Sequence, residues 1–334
     1  MNQFKTLLPG CFVAIITGLA ALFLSEHYGA PAMLFALLLG IALSFLYEGT
    51  QCKAGIEFTA SHILRVGIAL LGLRIAFGDL VSLGWQTAIM LVIATVSTIL
   101  LGMLAAKVLG LRKRFGLLTG GAVGICGASA AMAICAVLPQ SKENERDTLL
   151  TIIGVTAFST LAMVIYPFIA GLLNLDQTST SIFLGGTIHD VAQVVGAGYS
   201  VSEQTGDLAT LTKLVRVAFL LPVILCILLV IKLKLQNTKA SLDAQVTSPG
   251  LPLFLIAFVI LMSINSVFSI PPELSQGANT LSRFALIIAI TAIGMKSNLK
   301  QLLNVGVKPF ILLGIETLWI AGFILLCLHF MSQS

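Results

Sequence analysis

Apolar runs of about 20 residues, the length that carries an α-helix across a bilayer, recur along this chain from one end to the other. Eleven can be read, at 7–24, 30–46, 56–76, 86–107, 116–138, 148–173, 181–199, 208–234, 250–269, 279–298 and 305–330. Short polar connections separate them, and the longest, LQNTKASLDAQVTSP at 235–249, divides the chain unequally. No polar stretch is large enough for a separate soluble domain, so residues 1–334 read as one polytopic unit. The predicted fold is an all-α integral membrane protein of about 11 transmembrane helices. Composition agrees: 57% of residues are hydrophobic and 10% charged, against about 25% charged in soluble domains. A soluble fold, a disordered chain and a nucleic-acid binder are excluded on this ground. Lys5 ahead of the first run imitates a signal peptide, but ten further runs follow, so that helix is expected to be retained.

The net charge of +5 is best read through the position of the 19 Lys and Arg residues, because positive loops stay cytoplasmic. With all eleven runs crossing and the N-terminus inside, the cytoplasmic segments hold Lys5, Lys53, Lys107, Arg112, Lys113, Arg114, Lys232, Lys234, Lys239, Lys296, Lys300 and Lys308. The external side holds Lys142, Arg146, Lys213, Arg216 and Arg283. This predicts a cytoplasmic N-terminus and an external C-terminus. Five of the six cysteines lie in apolar runs without zinc-type spacing, as small hydrophobes would.

Residues 71–84 (LGLRIAFGDLVSLG) and 293–306 (IGMKSNLKQLLNVG) echo each other. Each pairs a glycine with a cation two positions on, Arg74 and Lys296, and each closes on a glycine, Gly84 and Gly306. The copies end runs an odd number apart, so they point in opposite directions, as inverted-topology repeats of secondary transporters do.

Polar groups within apolar runs are costly and mark function. The run GLLTGGAVGICGASAAMAICAVLP at 116–139 is dense in small residues. It reads as close helix packing or as an interrupted helix whose backbone meets an ion, which makes Gly124, Cys126, Gly127 and Ser129 candidates. The run IFLGGTIHDVAQVVGAGYS places His189 and Asp190 four and three residues before Gln193, on one helical face. Lys213 and Arg216 are three apart near the start of the 208–234 run and offer donors to an oxyanion, with snorkelling to headgroups as the alternative. Arg65, three residues after His62, is a second cation inside a run. Glu316 is a lone carboxylate in the last run. The candidate substrate-binding set is therefore Lys213, Arg216, Arg65, Gly124, Cys126, Gly127 and Ser129, and the proton- or ion-coupling set is His189, Asp190, Gln193 and Glu316. No catalytic residue, cofactor or metal site is expected.

The segments GGAVGICGASAAMAI, GGTIHDVAQVVGAG, TKLVR at 212–216 and the paired LGLR and IGMK helix ends resemble the YeiH-type sulfate exporter family over essentially the whole chain. The resemblance implies a multi-pass bacterial inner-membrane transporter of the sodium/proton antiporter and bile-acid symporter group, with inverted repeats and crossing, glycine-rich broken helices. The family name suggests export of a sulfur oxyanion, sulfate or sulfite. Expected partners are a small inorganic anion, protons or sodium, the lipid bilayer and further copies of the chain, with no nucleic acid. A cation/proton antiporter on the same fold and a non-transport membrane sensor are the rival readings. One conflict stands at this level. The two glycine-rich runs are an even number apart and so run parallel, whereas crossing broken helices run antiparallel. Either the 279–298 run supplies the second broken helix or a run is re-entrant.

Overall fold

A computed structural model describes residues 2–29, 31–48, 50–138, 141–236, 253–268, 271–297 and 306–331. Residues 237–249 of the linker read at 235–249 and most of the second echo segment lie outside the described residues, and Leu235 and Gln236 continue a helix. Every regular element among them is helical. The principal helices are α1 (Asn2–Tyr28), α2 (Ala32–Ala42), α3 (Lys53–Leu71), α4 (Gly84–Val108), α5 (Lys113–Gly124), α6 (Ala128–Val137), α7 (Lys142–Leu172), α8 (Gln177–Thr187), α9 (Val191–Val201), α10 (Glu203–Ala218), α11 (Leu220–Gln236), α12 (Leu253–Val267), α13 (Pro272–Lys296) and α14 (Val307–Met331). Seven segments are long and apolar enough to cross a membrane: α1, α3, α4, α7, α10 with α11, α13 and α14. They are buried inside the fold to different extents, α1 least and α13 most, which leaves broad apolar faces such as Phe12, Leu100, Phe168 and Leu229 outside.

The two glycine-rich runs do not cross as single helices. A 12-residue α5 is about 18 Å long, and an α6 that continued it would end far from Arg112. Instead Arg112 Nη2 pairs with Asp147 Oδ2 at 2.8 Å, so the start of α7 returns to the start of α5. A side chain added at Gly121 in α5 would collide with Ile134 of α6. The segment 113–137 is therefore a helical hairpin. The same holds for 177–201. Gln177 Nε2 donates to Gln204 Oε1 at 2.7 Å, so α8 starts beside α10. Lys213, further along α10, reaches Ile188 at the hairpin tip. Gly198 of α9 then packs on Gly206, back at the start of α10.

The hairpins enter from opposite ends of the molecule, because the 31-residue α7 lies between them and spans its full depth. The conflict in the sequence reading is thus resolved by fold-back of both glycine-rich runs. This also corrects the charge placement. Lys142 and Arg146 sit at the same end as Lys5, Lys53, Lys107, Arg112, Lys113 and Arg114, because 116–138 returns to its starting side. Lys232, Lys234, Lys296 and Lys308 close helices or open them at this basic end. Arg74 and Arg283 lie toward the opposite end, and both pair with Glu203 there.

Two bundles result. One is α1, α2, α3, α12 and α13, and the other is α4, both hairpins, α7, α10, α11 and α14. Close approach is built on small residues: a Cβ at Gly10 would meet the backbone of Gly55, and one at Gly40 would meet the backbone of Thr291 and Gly294. Gly84 and Gly306, the matching glycines of the echo, have φ of +76° and +85°. Each turns the chain into a 25-residue helix, α4 or α14, through a backbone conformation that glycine adopts without steric cost.

Candidate functional site at the hairpin tips

The two hairpin tips meet beside the middle of α7. Tip one is Ile125–Gly127 and tip two is Ile188–Asp190. Gly127 makes the meeting possible, since it has φ +67° and ψ −128°, and a Cβ there would sit 3.5 Å from the His189 carbonyl oxygen. The Asp190 amide donates to Ser159 Oγ of α7 at 3.0 Å, which pins tip two.

The last carbonyls of α5 and α8 have no partner within their own helices, and each helix end carries roughly half a negative charge. Lys213 and Arg216, both fully buried in α10, meet this need. Lys213 Nζ donates to Ile125 O and Ile188 O, each at 2.7 Å. Arg216 Nε donates to Gly124 O at 3.1 Å and Nη2 to Val123 O at 2.8 Å. Arg216 Nη1 reaches Gly185 O, Gly186 O and Ile188 O at 3.3, 2.5 and 3.4 Å. The spacing of three in TKLVR puts both cations on one face of α10. Neither snorkels; one pair of side chains clasps six carbonyls from two hairpins.

The outgoing limbs begin at the same place and differ. α9 is capped by Asp190, whose Oδ1 accepts from the Ala192 amide at 3.3 Å. α6 has no side-chain cap, and Ser129 in its first turn is exposed, as are Met132 and Ala136 below it. Cys126 is buried between Lys213, Arg216 and Asp190.

His189 and Gln193 do not share a face, because the helix breaks at Ile188–Asp190. His189 Nε2 meets Thr317 Oγ1 of α14 at 3.0 Å, and Nδ1 is buried without a hydrogen-bond partner among the described residues. Gln193 Nε2 donates to Thr160 Oγ1 of α7 at 2.8 Å. Glu316 is wholly buried on α14 beside Thr317, where its Oε1 accepts from Thr119 at 2.7 Å. Arg65 is not brought to the tips; it is exposed on α3. Thr119, Ser159, Thr160 and Thr317 were missed in the sequence because a lone threonine or serine in an apolar helix is ordinarily satisfied by its own backbone, as Thr98 is by Ala94 O.

The opposite end of the molecule is tied across the two bundles. Arg74, just after α3, pairs with Asp207 Oδ2 at 2.9 Å and Glu203 Oε2 at 3.3 Å. Arg283 of α13 pairs with Glu203 Oε1 at 3.4 Å. Tyr199 donates to Asp207 from α9.

Residues 7–313 match the model of the family described as Conserved hypothetical protein 698. The chain belongs to that family. A UPF0324 membrane protein of Chlorobaculum tepidum is 49% identical over 331 residues, covering 99% of this chain and 91% of its own. A UPF0324 membrane protein of Paracoccus pantotrophus named TauZ is 49% identical over 325 residues, covering 97% of this chain and 95% of its own. A sodium proton antiporter from Methanocaldococcus jannaschii aligns over 97% of this chain and 99% of its own at 14% identity and a TM-score of 0.31, too low to show a shared fold. Family membership and the seven long apolar helices together make this a multi-pass membrane protein.

Proposed function

We propose that the protein is a secondary active transporter that exports a small inorganic anion, sulfate or sulfite, across the bacterial inner membrane by alternating access. The observation that carries this reading is the meeting of two oppositely entering, re-entrant hairpins on a buried Lys213–Arg216 pair, with an uncapped helix start left over. The charges at the tips support an anion. The two cations offset the ends of α5 and α8, about one negative charge together, and Asp190 supplies another. The starts of α6 and α9 then add about one positive charge in excess. Helix starts of this kind receive anions in transporters, and the uncapped, exposed one is that of α6 at Ser129. In this role the backbone of Gly124, Cys126 and Gly127 shapes the site, while Lys213 and Arg216 hold it together instead of binding the anion directly.

The packing of the limbs supports alternating access. α9 packs against α2 and α13 of the other bundle, and Arg74 and Arg283 tie the same end. α6 instead packs on α5, α7 and α11 and leaves its Ser129–Met132–Ala136 face open. This is a state open toward the basic end. The positive-inside rule makes that end cytoplasmic, with the N-terminus inside and the C-terminus outside, so the anion loads from the cytoplasm. The left-handed glycines Gly84 and Gly306, each starting one of two long helices that run in opposite directions, support an inverted-repeat origin.

Proteoliposomes loaded with labelled sulfate or sulfite test the reading. Efflux of either anion that is lost in Ser129→Asp supports it. Absence of efflux for both, with sodium-dependent proton flux in the same vesicles, overturns it in favour of a cation/proton antiporter.

A further inference from the structure

Glu316 lies apart from the hairpin tips, and the transport reading above leaves it without a task. Its carboxyl group fills a notch made by two glycines. A Cβ at Gly102 of α4 would strike Glu316 Oε1 and the Gly116 carbonyl of α5. Among the described residues the one polar side chain that meets it is Thr119, at 2.7 Å from Oε1, and Oε2 is buried with no partner. α14 packs against α4, α5, α7 and α8. The charged or titratable groups on these elements or at their tips are His189, which reaches α14 through Thr317, Cys126 and Asp190 at the tips, Tyr166 further along α7, and Lys107, Lys113, Arg114, Lys142, Glu143, Glu145, Arg146 and Asp147 at the basic end. Among the described residues none of them hydrogen-bonds or ion-pairs with Glu316, whose carboxyl group meets Thr119 and the glycine backbone of the notch.

The hydroxyl of Thr119 has one proton to give and three acceptors in range, Glu316 Oε1 at 2.7 Å, the Phe115 carbonyl at 3.1 Å and the Gly116 carbonyl at 3.4 Å. If Glu316 carries a proton, its O–H donates to Thr119 Oγ1, and Thr119 donates on to Phe115 O. Every hydrogen is then used. If Glu316 is ionised, Thr119 turns to it and Oε2 remains a bare negative oxygen in an apolar notch, which is costly in a buried site. The other two coupling candidates fit a proton less well. Asp190 is half-buried, caps α9 and lies near Lys213. His189 is buried beside the basic side chains of Lys213 and Arg216, so a proton added to its ring would sit next to the Arg216 cation without a carboxylate hydrogen-bonded to the ring among the described residues.

We propose that Glu316 is the binding site for the proton that couples to anion movement, and that Thr119 and Thr317 connect its occupancy to the two hairpins. The notch between Gly102 and Gly116 accepts only the neutral acid, so loss of the proton drives α5 and α14 apart and loosens hairpin one against the tip of hairpin two. Thr119 lies about two helical turns from the basic end along α5, so the proton enters from that side. The inference deepens the transport reading and rests on it for the identity of the coupled movement.

Two measurements on the full-length reconstituted protein test it. The first compares pH-gradient-driven uptake of labelled sulfite with sulfite counterflow at equal pH. Glu316→Gln, which mimics the neutral acid, is expected to keep counterflow and lose gradient-driven uptake together with proton flux read by an internal pH dye. Retained gradient-driven uptake and proton flux in Glu316→Gln would overturn the proposal. The second is infrared difference spectroscopy across a pH step without any anion. Wild type is expected to show the carbonyl stretch of a titrating buried carboxylic acid, absent in Glu316→Gln and shifted in Thr119→Val, which keeps the carboxyl group and serves if the first variant does not fold. A spectrum without that band overturns the proton site whether or not anions move. A band present in protein that moves no anion leaves the proton site standing and removes the transport reading.

Discussion

Arg216 Nε donates to the Gly124 carbonyl at 3.1 Å, across 92 positions of sequence. The bond ties a helix that runs the depth of one bundle to the tip of a hairpin that enters only part way. The same guanidinium reaches Gly186 of the second hairpin. Position of the tips and neutralisation of their carbonyl ends therefore rest on this side chain together with Lys213, which holds Ile125 O and Ile188 O.

Replacing that side chain should harm the fold before any anion is present. Arg216→Met leaves buried carbonyls without donors at about 1–3 kcal/mol each, and Arg216→Lys restores charge without the planar fork. Thermal melting in detergent without sulfate or sulfite should show a large loss for Met and a smaller loss for Lys. An unchanged melting temperature in Arg216→Met would show that the clasp is not structural.

Gly127→Ala should be destabilising by about 1–3 kcal/mol, because φ +67° with ψ −128° is a region that L side chains rarely occupy. The space around the added methyl is ordinary, with the His189 carbonyl at 3.5 Å, so strain and not collision is the cause. Melting curves of the purified variant should therefore shift while the protein still assembles, and efflux should fall with the shift of tip one.

Ser129→Asp separates binding from stability by sign. A carboxylate in the first turn of α6 favours the helix by about 0.3–1 kcal/mol, so the melting temperature should hold or rise. The same charge competes with an anion for the helix start, so sulfite efflux should be lost. A variant that keeps full efflux would move the anion site away from α6.

Arg74→Gln should loosen the closed end. The Arg74 pairs with Asp207 and Glu203 are partly exposed, so each contributes at most about 1 kcal/mol, enough to shift a two-state opening severalfold. Labelling of Ala197→Cys, a position with 0% exposure in α9, by a membrane-impermeant thiol reagent from the C-terminal side should quicken in Arg74→Gln, in a background without the native cysteines. High salt should have the same effect on the parent protein. Equal labelling rates with and without Arg74 would exclude the ion pairs as a closure.

Much of the architecture was legible in the sequence because bilayer-length apolar runs and rare internal charges report directly on solvent. The site was half legible. Lys213, Arg216, Gly124, Gly127, His189 and Asp190 do gather at the tips, and they were found because glycine density and intramembrane charge both cost stability. Their partners were not legible, because each cation is satisfied by main-chain carbonyls, and a carbonyl is common to every residue. Arg65 shows the converse: a costly residue in a run marks a position but does not say which face it occupies.

By itself the sequence determined that this chain lives in a bilayer as a helical polytopic protein, and it singled out the polar groups that must be accounted for there. Only the tertiary structure decided that 113–137 and 177–201 turn back on themselves. Hydropathy cannot distinguish a helix that crosses from two half-helices that return, since both are equally apolar. What separates them is whether a donor waits at half depth for the carbonyls of the break, and Lys213 and Arg216 lie far from tip one in sequence and reach it only when the chain is folded.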